Sequence, residues 1–195
     1  HLRIIVSRGI KSTPYQSPKV TISKPTIIII PEYKKPDIKT YKKGLKLVTV
    51  KTIRGPINVQ NPQINSLSKL NCILACIEAN KKNADEALMF DINGNIATNN
   101  STHFFFVKNK TVFTSTGKYC VTGITRQKII DICKKNKIKV KEKNFKLNEV
   151  LNADEAFCTG SFAGIVPVNQ INKKKYSLKK NPITKELTNF YNNLF

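Results

Sequence analysis

Short apolar runs and alternations along the chain predict strands, and apolar side chains three and four apart predict helices. Residues 2–7 read as a strand, and the β-branched run at 26–30 reads as a buried one. Residues 44–53 give a third strand, with Leu45, Leu47 and Thr49 opposite Val48 and Val50. Residues 63–80 pass from loop into an amphipathic helix whose apolar stripe is Leu67, Leu70, Ile73, Leu74 and Ile77. Ser66 or Ser68 can cap that helix. A short apolar strand follows at 86–91 and turns at 92–95, and the runs 104–107 and 111–114 flank Asn109-Lys110 as a second hairpin. Residues 123–135 form a helix that buries Ile129, Ile130, Ile132 and Cys133. Beyond it lie a strand at 138–144, a helical turn at 146–151 and a strand at 155–159 that ends on Gly160-Ser161. A last helix starts on Pro182, where no amide bond is lost, and runs to 194. Helices and strands mix without regular alternation, which argues for an α+β domain with a mainly antiparallel sheet.

One residue sits awkwardly in this pattern. Lys69 falls in the first turn of the helix at 63–80, where the helix dipole disfavours a cation.

Composition changes the picture only in part. The 195 residues suit one domain, or one and part of another, and the numbering opens on His1 within a strand, so the chain reads as a fragment. A hydrophobic share of 40% suffices for a core, no apolar run approaches the roughly 20 residues of a membrane span, and no signal peptide is visible. A net charge of +22 invites a nucleic-acid reading. The lysines, however, are spread evenly and accompanied by many isoleucines and asparagines, as an AT-rich genome would impose. No nucleic-acid-binding motif supports that reading. The cysteines Cys72, Cys76, Cys120, Cys133 and Cys158 lack metal-type spacing and read as free thiols in a reducing cytoplasm. With His1 and His103 as its only histidines, the chain offers little for a histidine-rich metal site or a Ser-His-Asp triad.

Two polar turns can carry chemistry. Gly123-Ile124-Thr125 opens a helix, so the amides of Ile124 and Thr125 offer an anion site. Thr159-Gly160-Ser161 follows a strand and presents further amides and hydroxyls. Together with a misplaced lysine upstream, they point to a phosphate-bearing cofactor that reacts with an amine.

Several ordered motifs then resemble one family. They are Asp85-Glu86-Ala87-Leu88-Met89-Phe90-Asp91 with Gly94, Asn100-Ser101-Thr102-His103-Phe104-Phe105, Gly123-Ile124-Thr125-Arg126, Ala153-Asp154-Glu155-Ala156-Phe157, Thr159-Gly160-Ser161 and Val166-Pro167-Val168. Pro182-Ile183-Thr184-Lys185 is similar to the closing helix of the same group. The chain resembles the fold-type IV pyridoxal-phosphate enzymes, which include branched-chain and D-amino-acid aminotransferases and aminodeoxychorismate lyase.

The resemblance implies a D-amino-acid-aminotransferase-like fold, mostly the large C-terminal domain, with a mixed or antiparallel sheet and flanking helices. Residues 1–55 would be the end of the small domain and the interdomain strands, and 56–195 the large cofactor-binding domain. Most of the small domain, with a phosphate-binding arginine, would be absent from this chain. It implies pyridoxal 5'-phosphate as cofactor, an amino acid and a 2-oxo acid as substrates, and a cytoplasmic homodimer. It makes nucleic acid an improbable partner and leaves no role for a membrane.

Carried over by position, the amides of Ile124 and Thr125 would hold the cofactor phosphate, and Ser161 stands where the family has a phosphate-contacting threonine. The amide of Phe162 would lie near the substrate carboxylate. Two positions at the chemical centre depart from the pattern. Asn65 stands where the family has its Schiff-base lysine, and Thr98 stands where a glutamate pairs with the pyridine nitrogen. Lys69 lies four residues beyond Asn65, at a place often held by a tyrosine that touches the cofactor's phenolic oxygen, and is the candidate replacement. The expected function is transamination with Lys69 as nucleophile. The alternative is an inactive relative that binds a ligand or partner, and a basic nucleic-acid-binding protein is a third class.

Overall fold

The computed structural model describes residues 1–194 and separates the chain into two compact units, 1–36 and 37–195. The first unit is an antiparallel ribbon of β1 (Leu2–Val6) and β2 (Ile27–Pro31), with a short 3-10 turn (Pro18–Val20) in the connection. The expectation of a buried strand at 26–30 is corrected here, because Ile27, Ile28, Ile29 and Ile30 are all exposed. A two-stranded ribbon has no further layer of its own against which to bury either face.

The second unit begins with α1 (Ile38–Lys43), whose N-cap Asp37 accepts a hydrogen bond from the amide of Lys39, and which ends on Gly44 in the left-handed region. Next come β3 (Leu45–Thr49), α2 (Leu70–Lys81), β4 (Glu86–Phe90), β5 (Ile96–Asn99), β6 (His103–Lys108) and β7 (Thr111–Thr114). The chain continues through α3 (Ile124–Lys135), β8 (Val140–Glu142), α4 (Leu147–Leu151), β9 (Glu155–Gly160), β10 (Gly164–Ile171), β11 (Lys174–Lys175) and α5 (Pro182–Asn192). One nine-stranded sheet runs β5-β4-β3-β10-β9-β6-β7-β8, with β11 paired to β10. The sheet is mixed. β3 is parallel to β4 and β10, and β7 is parallel to β8, while the remaining pairs are antiparallel. β3 pairs into this sheet and so lies within the compact unit that begins at residue 37.

The Phe104–Val107 run shows why the sheet is covered on both sides. Side chains alternate across a strand, so Phe104 and Phe106 join one core with Leu47, Leu88, Phe145 and Val168. Phe105 and Val107 join the opposite core with Phe157, Ile165 and the α3 residues Ile129, Ile130 and Cys133. The turn between β6 and β7 places Asn109 and Lys110 at positive φ, the two-residue geometry that matches strand twist. Buried Glu155 on β9 accepts hydrogen bonds from the amides of Ile183 and Thr184, which caps the start of α5.

α2 departs from its sequence pattern. It begins at Leu70, with Lys69 as an N-cap whose side chain does not bond the helix, so neither Ser66 nor Ser68 caps it. Its buried residues are Cys72, Ala75 and Ala79, of which Ala75 and Ala79 pack against Ala87 and Met89 of the sheet. Leu70, Ile73, Leu74 and Ile77 face outward. The small side chains let the helix lie close to the sheet, so backbone approach decides the inner face, whereas the large apolar groups lie off it.

Candidate functional site

Strand pairing and one histidine gather the candidate residues. In the β6–β9 ladder His103 lies opposite Thr159 and Phe104 opposite Cys158. The His103 ring turns toward the chain that leads into α3, where its Nε2 lies 2.6 Å from the carbonyl oxygen of Val121. A carbonyl can only accept, so Nε2 carries the proton. Burial, with Arg126 and Arg54 as neighbouring like charges, holds the imidazole below its ordinary value of 6.5 and keeps it neutral.

The ring also packs on Gly123. A Cβ there would fall 2.3 Å from His103 Cε1, so only glycine fits the contact. His103 thereby joins the Gly123-Ile124-Thr125 turn to the end of β9, and its role was not legible in the motif that contains it.

Gly123 is the N-cap of α3 and supplies no side-chain cap, which leaves first-turn amides available to an anion. Thr125 is buried, and Ile124 is 79% exposed. Thr159 Oγ1 is buried and unpartnered. Ser161 and Phe162 occupy the turn between β9 and β10, and Phe162 is 37% exposed. Arg126, only 4% exposed, donates to Ser115 O in the preceding loop at 2.6 Å and to Glu142 Oε2 on β8 at 2.7 Å.

The third segment is the turn from Thr98 to Thr102. Thr98 is buried, and its hydroxyl donates to Thr102 O at 2.9 Å. Asn99 Nδ2 donates to Thr102 Oγ1 and to Cys158 Sγ on β9. The hydroxyls of Ser101 and Thr102 donate to the two carboxyl oxygens of Glu86 at 2.7 and 2.6 Å. Burial pushes the Glu86 carboxyl above its ordinary value, against the lowering effect of those hydroxyl donors. The methyl carbon of Thr102 is 3.6 Å from where a Cβ on Gly160 would stand. Residues 98–102, 123–125 and 159–162 are therefore joined to one another through His103, Cys158 and Gly160.

Lys69 lies outside those contacts. It is exposed, and its ammonium donates to Asn65 Oδ1 at 2.6 Å. Residues 65–69 precede the helix, so the two side chains meet across a turn and not along one helical face. Lys69 N bonds Leu67 O, Ser66 N bonds Ile64 O, and Gln60 Nε2 donates to Ser68 O, which together brace the segment. Arg54 Nη1 donates to Cys72 Sγ in the first turn of α2, and the same arginine acts electrostatically on His103. No hydrogen bond among the described residues links Lys69 to the three joined turns. No group of three metal-type ligands occurs among the described residues, and no helix there is long and apolar enough to cross a membrane.

The family model for amino-transferase class IV matches residues 1–171. This chain belongs to the class IV aminotransferase family. "Branched-chain-amino-acid aminotransferase-like protein 2" of Arabidopsis thaliana is 34% identical over 195 residues, covering 100% of this chain and 35% of that protein. A "Putative branched-chain-amino-acid aminotransferase" of Methanocaldococcus jannaschii is 34% identical over 189 residues, covering 96% of this chain and 64% of the relative. The chain thus spans from about a third to just under two thirds of these relatives. Among solved structures, the T.th. branched-chain amino acid aminotransferase with pyridoxamine 5'-phosphate superposes with a TM-score of 0.88 at 25% identity. That match covers 98% of this chain and 64% of the other. The α+β fold with a mixed sheet is the fold of this class IV group.

Proposed function

We propose that this class IV chain takes part in pyridoxal-phosphate-dependent transfer of an amino group between an amino acid and a 2-oxo acid. Bound cofactor supplies the electron sink for that chemistry. The observation that carries the reading is the contact of 2.6 Å between Lys69 Nζ and Asn65 Oδ1. It sets the only amine of this segment against the residue that stands in the family lysine's place. Lys69 would hold the aldehyde carbon.

The uncapped start of α3 would hold the phosphate through the amides of Ile124 and Thr125, with Ser161 beside it. The buried, unpartnered Thr159 Oγ1 supports a polar ligand at this end. Phe162 would bring its amide to the substrate carboxylate. At the ring nitrogen the fit is weaker. Thr98 has committed its proton to Thr102 O, so its oxygen can only accept from a protonated ring, without a carboxylate's charge.

A homodimer is part of the same reading, supported by the outward apolar stripe of α2. So is a reducing, cytoplasmic setting, supported by five free cysteines. Residues 1–55 would be the end of a small domain and 56–195 the large cofactor domain. A specific observation favours a second reading, a relative without catalysis that keeps the fold to bind a ligand. Asn65 cannot form an imine, and Thr98 is a hydroxyl already engaged.

The test is to add pyridoxal phosphate, record the visible spectrum, reduce with borohydride and map the labelled peptide. Label on Lys69 supports the reading. A saturated spectrum without a covalent band sinks it and leaves the non-catalytic one, and label on another lysine moves the site.

A further inference from the structure

Resting on the proposed role of Lys69, we infer that Asn65 is its positioning residue: the carboxamide oxygen accepts from the Lys69 amine and holds it in one orientation. The contact of 2.6 Å is short and involves a charged donor, so it belongs among the stronger hydrogen bonds. Both side chains are exposed, and the chain that carries them is braced at Gln60, Ile64 and Leu67 rather than by helix. An unrestrained lysine at an N-cap would sample many rotamers, and holding it removes that freedom before a ligand arrives.

The chemistry of the acceptor matters. An aspartate at 65 would pair with the ammonium as an ion pair and keep the amine protonated. The neutral amide oxygen orients the group without forming an ion pair with it. The step it prepares joins Lys69 Nζ, as the neutral amine, to an aldehyde carbon by a C=N double bond, while the C=O bond and both N–H bonds break and the oxygen leaves with the two protons as one water. Asn65 itself gains and loses no covalent bond.

Two labelling reactions separate this role from simple exposure. In the full chain, Asn65→Ala slows the borohydride-trapped pyridoxal-phosphate label on Lys69 by about tenfold, the worth of one hydrogen bond. The same variant speeds acetylation of Lys69 by acetic anhydride, an untargeted reagent, because the amine is no longer held. Asn65→Asp slows both reactions, and Lys69→Ala abolishes the label, with unchanged circular dichroism throughout. If Asn65→Ala labels at the parent rate, the inference falls while the role of Lys69 stands. If label and acetylation fall together, access and not positioning has changed, and the inference is again overturned. If the parent chain never labels at Lys69, the proposed function fails with it. Unchanged acetylation would show that the contact does not hold in solution.

Discussion

α2 and α3 are both 12-residue helices without a side-chain N-cap, yet they are used in opposite ways. α3 buries Thr125, Arg126, Ile129, Ile130, Ile132 and Cys133, and its first turn is locked by Gly123 on the His103 ring. α2 buries only Cys72, Ala75 and Ala79, and it carries Leu70, 67% exposed, beside an exposed Lys69. An uncapped helix start gives amides that can bind an anion, but rigid backing decides whether those amides stay in place. α3 has the backing of two strands and a buried arginine. α2 meets the sheet through small side chains, is tied at Cys72 and Glu78 by hydrogen bonds from Arg54, Lys51 and Thr52, and turns its large apolar groups outward.

The largest effect that would sharpen the contrast is at Ile130. Its side chain is buried in the α3 core, so Ile130→Ala is expected to cost about 2–5 kcal/mol in urea unfolding. The matching change on α2, Leu74→Ala, is expected within about 0.5 kcal/mol for the isolated chain. Equal costs would break the comparison and show that α2 is covered in solution. Sedimentation of Leu74→Ala against the parent would then reveal whether a second copy provides the cover.

Gly123→Ala comes next. Its added carbon meets the His103 ring, and overpacking of this kind costs about 1–3 kcal/mol. It should also weaken binding of inorganic phosphate, measured by calorimetry, more than Leu74→Ala does. Equal phosphate affinity in both variants would remove the link between the His103 contact and the α3 turn.

Two pH effects of opposite sign follow from His103, packed on the start of α3, and Glu86, bonded to the turn at 98–102. His103 has a folded value depressed below 6.5, so the unfolded chain binds the extra proton first. Stability from this group is present above pH 6.5 and is lost as pH falls through the depressed value. His103→Gln should flatten that acid-side drop in thermal midpoint. Glu86 has a folded value raised above 4.5 by burial, so its contribution is present below pH 4.5 and is lost as pH rises through the raised value. Glu86→Gln should remove that loss and raise the midpoint near neutrality relative to the parent. An unchanged pH profile in either variant would show that the group does not titrate differently in the folded state.

Much of the fold was legible because the local pattern and the tertiary environment agree. The Phe104–Val107 run, the Asn109-Lys110 turn, the apolar stripe of α3 and the proline start of α5 each formed as their residues predict. β5, β10 and α1 carry weaker signals, since Ile96–Asn99 is short and polar at its end and Gly164–Ile171 contains a proline. The motifs of the candidate site could be read in order along the chain. Their meeting could not, because it depends on a histidine ring filling the space left by one glycine.

By itself, the sequence determined the period of each element, the polar turns at 123–125 and 159–161, and the identities of Asn65, Lys69 and Thr98. Only the tertiary structure decided which faces are covered. It turned the α2 stripe outward and left the isoleucines of β2 exposed, and it brought Lys69 to Asn65 across a turn. Periodicity reports only that an apolar face exists, whereas burial depends on what the rest of the chain sets against it.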